Sequence, residues 1–123
     1  MRLVNLCPHI VRIYLGDHPQ PLLDRRPEAW VILPKSDQVA HIDQARDERH
    51  TIAGVPLLRW VIGDTTELPD PRPGLIYVVS SLVGREVVRR DVVSPDAKHR
   101  PILDEHDNIY AVRRLQQWTR SKR

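Results

Sequence analysis

Eleven prolines and five glycines cut this chain of 123 residues into pieces too short for a helical bundle. Proline fixes φ and lacks the N–H that a helix interior or a central strand requires, so each one marks a boundary. The runs that survive are short, apolar and rich in β-branched side chains. The sequence holds 14 Val and 9 Ile but no Phe, so its core must be aliphatic and suited to a pleated sheet. At this length one core is the expectation, since two would leave each half marginal. Residues 1–112 read as that single globular domain and 113–123 as a basic C-terminal segment.

Leu3–Leu6 opens the chain, followed by a Cys7-Pro8-His9 turn. Ile10–Leu15 and Ala29–Leu33 read as strands separated by a Pro-rich connector, and Gln38–Asp43 alternates polar and apolar residues as a half-buried strand does. Gln44–His50 reads as a charged loop, and Thr51–Ile62 as one or two strands bent at Gly54-Val55-Pro56. Leu75–Val79 is a continuous apolar run between Gly74 and Ser80, the pattern of a central strand buried on both faces. Ser80 or Ser81 then caps a short helix running to Arg90, with Val83 and Val87 stacked on one face. Gly84 inside that helix points to a close approach to the sheet. Val92-Val93 is a short strand, and Ile102-Leu103 with Ile109–Val112 a terminal hairpin; Arg113–Arg120 is a final helical turn or strand. The expected fold class is α+β: a single small domain, mostly β-sheet, with one short helix over about residues 80–90 packed on it.

Several residue groups together are similar to a group of short phage and bacterial proteins. Asn5-Leu6-Cys7-Pro8-His9 resembles their Asn-Leu-Thr-Pro-His opening, with Cys7 in place of Thr. Leu68-Pro69-Asp70-Pro71 and Gly74–Ser80 with Val83 resemble their Leu-Pro-x-Pro and Gly-x-x-Tyr-Ile-Val-Ser-x-x-Val segments. Arg90–Pro95, and Arg100 with Asp104-Glu105, are similar to the closing elements of the same group. The resemblance implies a phage- or mobile-element-linked setting and brings no mechanism with it.

The charge balance narrows the partners. Against 16 Asp+Glu stand 19 Lys+Arg, but five of these bases and none of the acids lie in residues 113–123, leaving 14 against 16 in the domain. A duplex-binding domain spreads its bases over a face. Here any preference for nucleic acid is expected through the basic tail alone. No apolar run is long enough to span a bilayer, and the first residues lack the apolar stretch of a secretory signal, so a cytoplasmic protein with no membrane partner is expected. The lone Cys7 excludes an internal disulfide framework.

Four constellations can carry chemistry. Ser80 and Ser81 stand where a buried strand hands over to a helix, the place where sheet-and-helix proteins often hold ligands. Arg89 and Arg90, with Arg85 and Arg100, would complete a phosphate site there, although no Gly-rich phosphate loop is present. His9 follows Cys7-Pro8 closely enough to pair with the thiol. Asp91 is an acid/base candidate for Ser80 or His9. Asp104, His106 and Asp107 offer metal-ligand atom types without a convergent set of four, so no metal or cofactor is expected. The leading expectation is a small binding protein holding an anionic ligand, a nucleotide or phosphorylated small molecule, through His9, Ser80, Ser81, Arg89, Arg90 and Asp91. One alternative is a structural or interaction protein that forms homo-oligomers or binds a protein partner through sheet edges. The other is a hydrolase using His9, Ser80 and Asp91.

Overall fold

In the computed structural model, which describes residues 1–121, ten strands and one helix follow the chain. They are β1 (Arg2–Asn5), β2 (Val11–Tyr14), β3 (Trp30–Leu33), β4 (His41–Ile52), β5 (Val55–Thr66), β6 (Leu75–Val78), α1 (Ser81–Glu86), β7 (Val92–Pro95), β8 (Ile102–Leu103), β9 (Ile109–Ala111) and β10 (Leu115–Gln116). The central sheet has the order β1-β6-β7-β10, with β1, β6 and β7 parallel and β10 antiparallel to β7. Two-stranded pairs surround it: β2–β3, β4–β5 and β8–β9.

Leu75–Val78 of the apolar run form the central strand β6, and Val79 continues its ladder by donating from its N–H to Val93 O at 2.9 Å. Successive side chains of a strand point to opposite faces, and β6 uses both. Tyr77 and Val79 pack with Leu6, Ala40, Ile42, Val83 and Val92 on the face that carries α1. Val78 packs with Cys7, Val11, Ile13 and Val112 on the face that carries β2 and β3. A third cluster joins Tyr14, Ala29, Ile102 and Ala111, with Trp30 tilted against Tyr14 at 4.8 Å between ring centroids. The aliphatic part of the core is thus divided between the two faces of one sheet, while the third cluster gathers three of the six aromatic residues, Tyr14, Trp30 and Tyr110.

Three local readings are corrected. The segment Gln44–His50 is not a loop: it lies inside β4, a 12-residue strand paired with β5 along almost its whole length. Asp43, Arg46, Glu48 and Arg49 are exposed to water, the half-buried Asp47 is paired with Arg49 and His50, and a register shift between Asp47 and His50 breaks the period that would have marked a strand. The bend in the next segment falls one step earlier than expected. Ala53 and Gly54, at φ 51° and 79°, form a two-residue hairpin turn between β4 and β5. The helix ends at Glu86 rather than Arg90, so Arg89 and Arg90 lie in the connection to β7.

The segment after Val112 also contributes to the sheet. Leu115 and Gln116 form β10, Arg114 pairs with Asp96 at 2.8 Å, and Trp118 lies against Gly84. Of the basic residues counted there, Lys122 and Arg123 lie outside the described residues. Among the described residues no helix is long and apolar enough to cross a membrane.

Candidate functional site

Where β1 and β6 end at their carboxyl sides, the chain turns away from the sheet, and a cavity of about 400 Å³ opens between these turns and β9. The carboxyl ends of parallel strands are the recurrent ligand position in open sheets, because neighbouring connections diverge there. The cavity is lined by Cys7, His9, Ser80 and Ser81 from the strand ends, by Arg12 from β2, and by Tyr110 from β9, over an aliphatic floor.

Asn5 shapes the first wall. Its side chain is buried; Oδ1 accepts from Cys7 N at 2.8 Å, and Nδ2 donates to the carbonyls of His9 (3.0 Å) and Leu33 (2.9 Å). This is an Asx turn extended across Pro8, and it holds His9 at the cavity. His9 Nδ1–H donates to the carbonyl of Ile10 at 2.9 Å, so Nε2 keeps its bonding capacity. Cys7 Sγ–H donates to Val78 O at 3.7 Å, and burial pushes the thiol up to about 11. A thiol held neutral in this way is no nucleophile near neutral pH.

Ser80 forms the opposite wall. Its backbone carbonyl accepts from Gly84 N at 2.9 Å and from Ser94 Oγ at 3.1 Å, while its hydroxyl caps no helix N–H. The expected cap is therefore absent, and the hydroxyl is left for the cavity. Arg12 lies between the buried Val11 and Ile13 on β2 and so projects to the other side of the strand. Its guanidinium sits 4.3 Å from the ring centroid of Tyr110, within cation–π range. Arg26, Arg46, Arg49, Arg89 and Arg114 each meet a carboxylate. Arg12 meets none among the described residues.

The structure therefore brings three of the sequence-derived candidates, His9, Ser80 and Ser81, to one cavity, and leaves Arg89, Arg90 and Asp91 elsewhere. The register explains the separation. Tyr77 pairs with Val92 and Val78 with Val93, so Asp91 lies at the amino end of β7 while Ser80 lies past the carboxyl end of β6. Four strand positions at about 3.3 Å each put them roughly 13 Å apart. Asp91 is held there by Arg89, which donates at 2.9 Å and 2.6 Å and also reaches Pro69 O at 3.1 Å. The Arg89 guanidinium lowers the Asp91 carboxyl below its usual range. This pair ties the residue 69–73 approach to β7, and neither member is free for a ligand. Arg90 is exposed, and its carbonyl accepts from Gln117 Nε2 at 2.9 Å. A His9–Ser80–Asp91 constellation is thus not assembled.

Sequence reasoning missed Arg12 and Tyr110 as cavity residues. Arg12 carried a readable signal, a lone cation at the polar position between two inward-facing β-branched residues. Tyr110 carried none, because its approach depends on the parallel bridge between Ile13 and Val112, a contact across 99 positions of chain. The Asp104-to-Asn108 segment is a hairpin turn in which Asp104 Oδ1 accepts from His106 N and Asn108 N at 2.8 Å and 3.0 Å. No protein-family profile, curated protein or solved structure matches the chain.

Proposed function

We propose that this chain is a small binding protein, in the phage- or mobile-element-linked setting its resemblance implies, that holds an anionic small molecule in the cavity at the strand ends. Nucleotides and phosphate-bearing metabolites are the ligand class. The observation that carries this reading is the meeting of His9, Ser80, Ser81 and the carboxylate-free Arg12 around one cavity. Arg12 supplies a planar fork of donors suited to a phosphate. The two hydroxyls and His9 Nε2 supply short-range hydrogen bonds, and the aliphatic floor with Tyr110 accepts the uncharged part of the molecule. The volume falls within the range of small-molecule sites, roughly 300–1,000 Å³. The cation of the site is Arg12, in place of the Arg89 and Arg90 that the sequence suggested.

Thermal unfolding across a panel of nucleotides and phosphorylated metabolites tests this. A ligand present at about 100 times its dissociation constant adds about 2.7 kcal/mol, which raises the midpoint by several degrees. Arg12→Ala should abolish the shift, while Arg90→Ala should leave it intact. A flat response across the panel, or equal loss in both variants, counts against the proposal.

A further inference from the structure

The β4–β5 ribbon runs away from the body of the protein after Ile42, the one residue of either strand that is buried. None of its residues lines the cavity. Beyond that root it exposes Ile52, Val55, Leu58, Trp60, Val61 and Ile62, with Trp60 at 49% and Val61 at 53% of full exposure. A two-stranded ribbon is marginal in water without further strands or a packed face, and this one is 12 residues long on each side.

Its two free edges differ in chemistry. The β4 edge carries Asp43, Arg46, Asp47, Glu48 and Arg49, the dense charge that natural sheets use to blunt an edge. The β5 edge carries the uncharged run Trp60–Gly63, with Arg59 its one charge between Val55 and Gly63. The register shift between Asp47 and His50 places its extra residue on β4, opposite Leu58, so the side chains of β5 keep their alternation and Leu58, Trp60 and Ile62 share one face. The ribbon holds three Arg (Arg46, Arg49, Arg59) against four acids (Asp43, Asp47, Glu48, Asp64), which makes it a poor match for a polyanion and leaves protein as the partner.

We propose that the β5 edge is a self-association surface, on which β5 of one copy pairs antiparallel with β5 of a second copy about a two-fold axis. A two-fold pairing opposes each residue to another of the same parity, so every apolar residue of this face meets an apolar residue. In the register centred on Trp60, Leu58 stands opposite Ile62 of the other copy, and Trp60 opposite its own equivalent. Arg59 stands opposite Val61, so no like charges meet. A shift that centred the pairing on Arg59 would set two guanidinium groups face to face, which is unfavourable. β4 lacks this property: centring it on Asp47 opposes two carboxylates. The product is a four-stranded sheet with six apolar side chains on one face. Edge pairing alone buries less than the roughly 800 Å² per partner of a standard interface, so the expected dimer is weak and concentration-dependent.

Sedimentation of the full chain from one to several hundred micromolar reads this directly. The mass is expected to rise from one chain to two, and Trp60→Lys should weaken association at least tenfold while circular dichroism and the unfolding midpoint stay unchanged. Oxidative cross-linking locates the edge: Trp60→Cys should trap a dimer and Glu48→Cys should not, with Cys7 buried and silent in both. A strict monomer across the range overturns the proposal and leaves the ribbon to a partner of different sequence. Unchanged association in Trp60→Lys, or cross-linking through Glu48→Cys instead of Trp60→Cys, overturns the β5 assignment.

Discussion

Asn5 governs the geometry of the cavity without lining it. A buried amide can satisfy one donor and two acceptors at once, and Asn5 does so with Cys7 N, His9 O and Leu33 O. It thereby joins the end of β1, the turn through Pro8 and the end of β3. Replacing it with Ala removes the partner of three backbone groups, and a buried polar group left unpaired costs about 1–3 kcal/mol. Asn5→Ala should therefore lower stability by about 3 kcal/mol in denaturant titration and weaken any ligand binding at His9. Asn5→Asp keeps the acceptor toward Cys7 N but turns a carboxylate toward two carbonyl oxygens, so it should be at least as damaging. If Asn5→Ala unfolds within about 0.5 kcal/mol of the parent, the turn is held by Pro8 and packing instead. The Asn-x-Cys-Pro-His spacing made a turn legible in the sequence. That the Asn was its anchor was not, because Leu33 O approaches from a different sheet.

At the scale of elements, legibility followed how much each segment depends on distant partners. β6 was readable because a strand buried on both faces needs no alternation, and its apolar run is bounded by Gly74 and Ser80. β4 was legible only at its start, where Gln38–Asp43 alternates; over Gln44–His50 its partner is β5 and its period is broken by a bulge, so local composition spoke for a loop. The close approach expected at Gly84 has a definite form. A Cβ there would lie 2.5 Å from Ser94 Oγ and 2.9 Å from Trp118 Cζ3. Ser94 is fully buried and its hydroxyl is tied to Ser80 O, so it cannot retreat. Helix propensity favours Ala over Gly by about 1 kcal/mol, whereas overpacking a filled site costs about 1–3 kcal/mol. The clash wins, and Gly84→Ala should destabilise by about 1–2 kcal/mol. In a Ser94→Ala background the same change should be milder, because the nearest atom is gone. A double-mutant cycle with no coupling between the two positions would contradict this account.

On the scale of the whole molecule, the charges act as fasteners between segments. The net balance had separated a slightly acidic domain from a basic end, yet Arg114 of that end is spent on Asp96, and Arg113 Nε donates to Arg100 O at 2.9 Å. Asp24 is the most enclosed of these fasteners. It accepts two bonds from the Arg26 guanidinium, at 2.9 Å and 2.7 Å, and one from Tyr14 Oη–H at 2.6 Å, while its own carbonyl accepts from Trp30 Nε1. Arg26 first and Tyr14 second hold its carboxyl well below the usual range; Arg89 does the same for Asp91 and Arg114 for Asp96. A carboxyl whose folded value is depressed binds fewer protons folded than unfolded around its ordinary value of about 4. Its contribution to stability is complete above that value and is lost as pH falls toward the folded one. The unfolding midpoint should therefore be level from neutral pH to about pH 5 and fall steeply below pH 4. Asp24→Asn isolates the part of the effect carried by this carboxyl. The variant mimics the protonated acid, so it should be clearly less stable than the parent at pH 7, and the two midpoints should converge as pH drops toward 2. Parallel curves over that interval would mean that Asp24 stabilises the β2–β3 region through shape alone, and that its ion pair with Arg26 contributes nothing to holding the third cluster against the sheet.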